Sequence, residues 1–188
     1  MGSTEINCAT PHNPSPDARL WTMRDGTEVA MRPICPEDEP CMVKFHTTLS
    51  DRTVYMRYFT CLSLARRTTH DRLARICYPD QERELVLVAE VERPESAEKD
   101  IVAVGRLNKL RVPGEAEAAV LVCDKYQHQG LGTELLRRVI AGATGMGVHR
   151  IVAEVLRDNL AIQTVFRRLG FRMRLRRDPS TIQMILDL

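Results

Sequence analysis

Apolar positions along the chain alternate between two periods, and each change of period marks an element. Leu20-Trp21-Thr22-Met23 and the stretch from Thr27 to Ile34 read as short strands on either side of Asp25-Gly26, a hairpin-turn dipeptide. Beyond Pro36, residues Met42, Phe45, His46 and Leu49 recur at helical spacing behind Glu37, Asp38 and Glu39, acids that suit a first helical turn. Ser50 is placed to cap a second short helix running to Phe59, and a third is expected over His70 to Tyr78. The nearly continuous apolar run from Leu85 to Val91 predicts a strand covered on both faces. Glu92 to Asp100 is charged and reads as a surface loop, Ile101 to Leu110 as the next strand, and Val112-Pro113-Gly114 as a turn.

In the second half, Ala118 to Cys123 is a further short strand. Leu131, Leu135, Leu136, Val139 and Ile140 then form the buried stripe of a helix that Gly145 and Gly147 end. Ile151 to Val155 reads as a buried strand. Asp158 or Asn159 is expected to cap a last helix bearing Ile162, Val165, Phe166 and Leu169, and Phe171 to Arg176 and Thr181 to Leu188 close the chain as strands. Such alternation predicts an α/β layer structure. Residues 1–18 are rich in Pro, Ser, Asn and Thr and carry no period, so a mobile N-terminal arm or linker is expected there, with one domain over 19–188.

Composition narrows the classes of partner. At 188 residues the chain can bury a sizeable core as a single domain. Its 27 basic and 25 acidic residues nearly balance, so neither a nucleic acid nor a membrane is expected as partner. Six cysteines lie scattered without a C-x-x-C pair, which predicts free thiols in a reducing, cytoplasmic setting. No apolar run approaches a membrane span, and the N-terminus lacks the basic start and apolar core of a signal peptide. The five histidines show no metal spacing, so no metal is expected.

Candidate chemistry centres on the junction after Cys123. A strand passes through Gln127-His128-Gln129-Gly130-Leu131-Gly132-Thr133 into a helix start, an arrangement that aims several backbone N–H groups and the positive end of a helix dipole at one spot. Phosphate is the usual ligand of such a spot. The turn lacks the Lys-Ser/Thr end of a nucleoside-triphosphate loop and the G-x-G-x-x-G spacing of a dinucleotide site. By spacing alone, the residues also fit a glycine-started helix in an unrelated α/β protein.

In its context the pattern Gln127-x-x-Gly130-x-Gly132, with Asn159 and Leu169-Gly170-Phe171 following, resembles the acetyl-CoA loop of the GNAT acetyltransferase superfamily. Met31-Arg32-Pro33-Ile34, Pro36-Glu37-Asp38-Glu39-Pro40, the run Thr48 to Phe59, Thr69-His70-Asp71-Arg72-Leu73 and Leu87-Val88-Ala89-Glu90 look like bacterial protein lysine acetyltransferases of the Pat type. The resemblance covers about residues 20 to 188. It implies a twisted mixed sheet of about seven strands with flanking helices, splayed at its centre between the strands at 118–123 and 151–155. Acetyl-CoA would lie in the opening and leave as CoA, and the acceptor would be a protein lysine, with an acyl-CoA synthetase as candidate partner.

The resemblance also assigns roles. A lysine amine, with a pKa of about 10.4, needs a general base, and Glu117 stands where similar enzymes carry a catalytic glutamate; Glu115 is the reserve. Partial burial is expected to raise the pKa of Glu117. Backbone groups of Leu121, Val122 and Cys123 would pair with the pantetheine arm as a further strand would. N–H groups of Gln127, His128, Gln129, Gly130, Leu131, Gly132 and Thr133 would hold the pyrophosphate, and Asn159 would contact the cofactor arm or serve only as a helix cap. Phe166 stands where many members carry a tyrosine, so no general acid is assigned. Cys123 reads as a structural thiol before an acyl-carrying one, and Arg172, Arg174, Arg176 and Arg177 as a solvated face or as a contact for the adenosine phosphate or an acidic partner. A small-molecule amine acceptor and a non-catalytic acyl-CoA-sensing module are the alternatives.

Overall fold

The computed structural model describes residues 19–93 and 98–188; the arm expected at 1–18 and the tip of the loop expected at 92–100 lie outside the described residues. Among these, eight strands run in chain order as β1 (Arg19–Thr22), β2 (Glu28–Pro33), β3 (Glu84–Glu92), β4 (Lys99–Lys109), β5 (Glu115–Val122), β6 (Arg150–Leu156), β7 (Arg172–Leu175) and β8 (Thr181–Asp187). They form a single sheet in the order β1-β2-β3-β4-β5-β6-β8-β7, one strand more than the expected seven or so. Neighbours are antiparallel except β5 and β6, whose parallel pairing is limited to Glu115 with Arg150, Ala116 with Ile151 and Glu117 with Val152. Past Glu117 the two strands diverge, which opens the sheet between the two strands where the splay is expected.

Helices cover both faces. On one lie α1 (Glu39–Thr47), α2 (Asp51–Tyr58), α3 (Leu64–Arg67) and α4 (His70–Cys77), which bury Met42, Phe45, Val54 and Leu73 against β2 to β5. The other face carries α5 (Leu131–Ala143) and α6 (Leu160–Arg168), with Leu136, Val139 and Phe166 packed on Ala116, Ala118 and Ile151. Local chemistry explains the boundaries. Ser50 caps α2 by accepting from the Thr53 amide at 3.2 Å. Asn159, rather than Asp158, caps α6 by accepting from the Ile162 amide at 3.3 Å. Helix α3 has no counterpart in the sequence pattern: four residues capped by Ser63 are too short to show a period.

A buried ionic cluster fixes how β2 feeds the helical layer. Arg32, 7% exposed, grips Asp38 with two guanidinium nitrogens at 2.8 and 2.7 Å and also bonds Glu90 on β3. The Cys35 amide donates to the same Asp38 carboxylate at 2.8 Å. Burial opposes the charge on Asp38, but the Arg32 guanidinium outweighs it and holds the carboxyl below its usual range. Asp38 is therefore an internal strut, not the exposed first-turn charge that its sequence neighbours suggest.

The cysteines require one correction. Cys61, Cys77 and Cys123 carry free thiols, but Cys41 is disulfide-bonded. Spacing along the chain reveals C-x-x-C motifs and not pairs brought together by folding. No helix among the described residues is long and apolar enough to cross a membrane.

His46 gives the fold a pH dependence. It is 1% exposed, and burial first, then the charges of Arg67 and Arg72, push its pKa from 6.5 down to about 4. A group depressed on folding stabilises the native state above its unfolded pKa and loses that contribution as pH falls toward the folded value. Urea titrations should therefore show stability declining from pH 6.5 toward about 4, with this histidine accounting for roughly 3 kcal/mol in all. His46→Phe should flatten that part of the profile; an unchanged slope would assign it to other groups.

Candidate active site

Where β5 and β6 part, a cleft of about 960 Å³ opens, walled by both strands, α2, the turn before α5 and one face of α6. The backbone of β5 alternates across it. The Cys123 amide donates to the Val102 carbonyl at 2.8 Å and the Glu115 carbonyl accepts from the Leu110 amide at 2.8 Å, so odd-numbered residues spend their main-chain groups on β4. Even-numbered residues, Val120 and Val122 among them, turn theirs to the opening. Of Leu121, Val122 and Cys123, expected to pair with a ligand arm, Val122 alone has that orientation, and Leu121 and Cys123 are corrected on this ground.

The turn ahead of α5 presents a row of amides. His128 (φ 62) and Gly130 (φ 88) both lie in the left-handed region, which folds the backbone inward. Among the described residues, the amides of His128, Gln129, Gly130, Leu131 and Gly132 donate to no protein acceptor, whereas Gln127 donates to the Asp124 carbonyl at 3.3 Å and Thr133 to the Gly130 carbonyl at 3.1 Å. The expected cradle is thus shorter at both ends. The Gln127 side chain instead braces the turn, its Nε2 donating to the Thr53 hydroxyl and the Val122 carbonyl, each at 3.1 Å. Beside it Asp124 accepts from the Ser50 amide (2.9 Å), the Ser50 hydroxyl (2.6 Å) and the Thr53 hydroxyl (2.8 Å). Against opposing burial, these bonds from Ser50 and Thr53 lower the pKa of Asp124.

Basic side chains that sequence reasoning missed approach the same turn. Arg24, from the β1–β2 hairpin, donates to the His128 carbonyl at 3.3 Å and lines the cleft with Arg52, Arg57 and Arg168. They come from three elements, the hairpin, α2 (Arg52 and Arg57) and α6, so no single local pattern could flag them. The basic alternation around Arg172 sits instead on β7, the far edge of the sheet, where Arg172 pairs with Asp187. Asn159 also lines the cleft; its Oδ1 is used as the cap and its NH2 group has no acceptor among the described residues.

Glu117 lies at the last paired rung of β5 and lines the cleft. It is exposed, not partly buried as expected, because the helical layer covers β5 only further along. Asn108 stands directly across on β4, its Oδ1 buried and without a partner. Arg57, whose own pKa is lowered chiefly by burial, feels the charge of Glu117. Cys123 is 6% exposed with its thiol on the Thr48 carbonyl at 3.9 Å, a packing role. Phe166 is buried edge-on against Phe171, with ring centroids 4.8 Å apart.

A sheet split after a parallel rung, with an amide-lined turn opening the crossover helix, is the architecture of an acyl-CoA-dependent transferase. The acetyltransferase (GNAT) domain model matches residues 28–172, and the chain belongs to that family. It is 30% identical over 148 residues to the acetyltransferase Pat of Mycolicibacterium smegmatis, covering 79% of this chain and 42% of that protein. The chain therefore spans less than half the length of this relative. An acetyltransferase of Pseudomonas aeruginosa is 29% identical over 165 residues, covering 88% of this chain and 86% of its own. Among solved structures, the GNAT domain of S. lividans PAT superposes with a TM-score of 0.80 at 26% identity, covering 91% of this chain and 97% of that one. The chain carries an N-acetyltransferase domain of a family that uses acetyl-CoA. The residues present fit that cofactor: the unpartnered amides from His128 to Gly132 suit a pyrophosphate, and the Val120 backbone with the Val122 amide suits an amide-bearing arm.

Gly132 offers a direct check. A Cβ there would meet only the Val122 side chain, at 3.4 Å, so the fold has room for one. Gly132→Val is expected to weaken acetyl-CoA binding by about tenfold or more in calorimetry while thermal unfolding changes little. Gly145→Ala, at a position with nothing within 4 Å of the new Cβ, should leave affinity unchanged.

Proposed function

We propose that this enzyme transfers the acetyl group directly to the ε-amine of a protein lysine, with Glu117 as the general base. The observation that carries the reading is the exposed Glu117 carboxylate on the cleft floor, open to a side chain arriving from another protein. When bound, acetyl-CoA supplies a thioester, an acyl group activated toward amines. The lysine nitrogen forms the new C–N bond as the C–S bond breaks, the bonding pair leaves on sulfur, and the proton of the amine passes to Glu117. Asn108 Oδ1, facing Glu117 across the ladder, is placed to hold a water in that proton path. Arg24 and the amides from His128 to Gly132 grip the diphosphate, and the Val122 backbone lays the arm along β5. With Phe166 in place of a hydroxyl-bearing side chain, no residue is assigned to protonate the thiolate.

A protein acceptor rests on the Pat-type resemblance of the sequence and on the exposure of Glu117. An acyl-CoA synthetase as substrate rests on the Pat-type resemblance alone. A thiol-release assay against lysine-bearing proteins, with acetylation sites located by mass spectrometry, tests the acceptor; turnover with small amines alone, or none with any amine, overturns it. Glu117→Gln is expected to cut kcat/KM by about 10²–10⁴-fold, with acetyl-CoA affinity retained. Unchanged rates would rule out this base.

A further inference from the structure

On the far side of β5 from α5 lies a second cavity, of about 620 Å³, which shares Arg57, Ala119 and Leu121 with the acetyl-CoA cleft. Ala119 and Leu121 lie on the face of β5 that bears Glu117, so this cavity begins beside the place where the acceptor amine must stand. Its walls come from α1 to α4 and β4. They are basic: Arg57, Arg66, Arg72, Arg75 and Arg106 line it against one acid, Asp71.

Internal partners neutralise little of this charge. Arg106 pairs with Glu84 at 2.8 Å, while Arg57 and Arg72 rest on the Tyr58 ring, 5.1 and 4.6 Å from its centroid. Among the described residues, Arg66 and Arg75 have no acidic partner. Of the lining arginines, Arg72 and Arg106 each leave a buried Nε without an acceptor. His46, 1% exposed, lines the cavity with both ring nitrogens unpartnered. Clustered guanidinium groups repel one another, and buried polar groups without partners are costly. A planar or tetrahedral anion relieves both, because the guanidinium fork matches carboxylate and phosphate.

We propose that the acceptor carries a carboxylate or phosphate near its reactive amine, and that this cavity binds the anion between Arg66, Arg72 and Arg75, with His46 beneath. This rests on the transfer reading of the adjoining cleft. A lysine ammonium arriving unaccompanied would meet like charge, so the anion is what makes entry favourable. The same positive surroundings disfavour the protonated amine and so bring the nucleophile nearer its reactive neutral form. The shared chemistry fits an acidic side chain flanking a protein lysine and equally an anionic group on a free amine.

The test compares matched acceptors: lysine peptides flanked by Glu or by Gln, and free amines bearing a carboxylate, a phosphate or a neutral amide. Calorimetry measures their binding to the CoA-saturated protein, and acetylation is followed in parallel. Anion-bearing acceptors should bind about tenfold tighter than neutral ones, and Arg72→Gln and Arg75→Gln should remove most of that advantage. Arg75 is exposed, so its replacement does not threaten folding. The series that shows the preference, peptide or free amine, identifies the source of the anion. Equal binding of acidic and neutral acceptors, or a preference that survives both substitutions, overturns the proposal. Selective binding of the acidic acceptor without acetylation would support the cavity and sink the transfer reading; acetylation of acidic and neutral acceptors with equal affinity would do the reverse.

Discussion

The short parallel contact between β5 and β6 governs everything downstream. Only Glu115 to Glu117 pair with Arg150 to Val152, and then the strands part. A longer ladder would have spent the even-numbered main-chain groups of β5 on β6 and sealed the sheet. Because the ladder stops, the Val120 backbone and the Val122 amide keep an open edge inside the molecule, a feature that proteins otherwise cover or blunt, with the Val122 carbonyl taken by Gln127. The crossover between the same two strands supplies α5, whose first turn faces this edge. Hydrogen-bonding capacity left over by the sheet and by the helix start thus meets in one cleft.

The divergence needs rigid walls. On one side Gly105 lets α5 lie close on β4: a Cβ there would come within 2.9 Å of Leu135. On the other, the Arg32–Asp38–Glu90 cluster ties β2, β3 and the entry to α1 together beneath the helical layer. Buried ion pairs add little net stability compared with apolar packing, but breaking one leaves a bare charge. Here the cluster sets where the helical layer begins, and with it the position of the arginine-lined cavity.

Much of this is legible in the sequence, and the gaps have physical causes. Long periodic segments, the Ser50 and Asn159 caps and the glycine turn are local features, and local features survive in one dimension. The backbone alternation that removes Leu121 and Cys123 from the cleft edge depends on register against β4, which no single strand encodes. Arg24 reaches His128 across 104 positions, and the arginines around His46 converge from four elements. Glu117 stands out by resemblance, yet its exposure depends on how far the helical layer extends over β5. The Cys41 disulfide is a further feature that spacing could not show.

The bonds made by Gln127 and Asp124 have a consequence for how the enzyme works as a mechanism of parts. Through Thr53 and Ser50 they bolt the start of α2 to the amide-lined turn ahead of α5. Arg57 rides on that same helix and forms the partition between the two chambers. The turn ahead of α5 and the residue shared by both chambers are therefore tied to one braced helix.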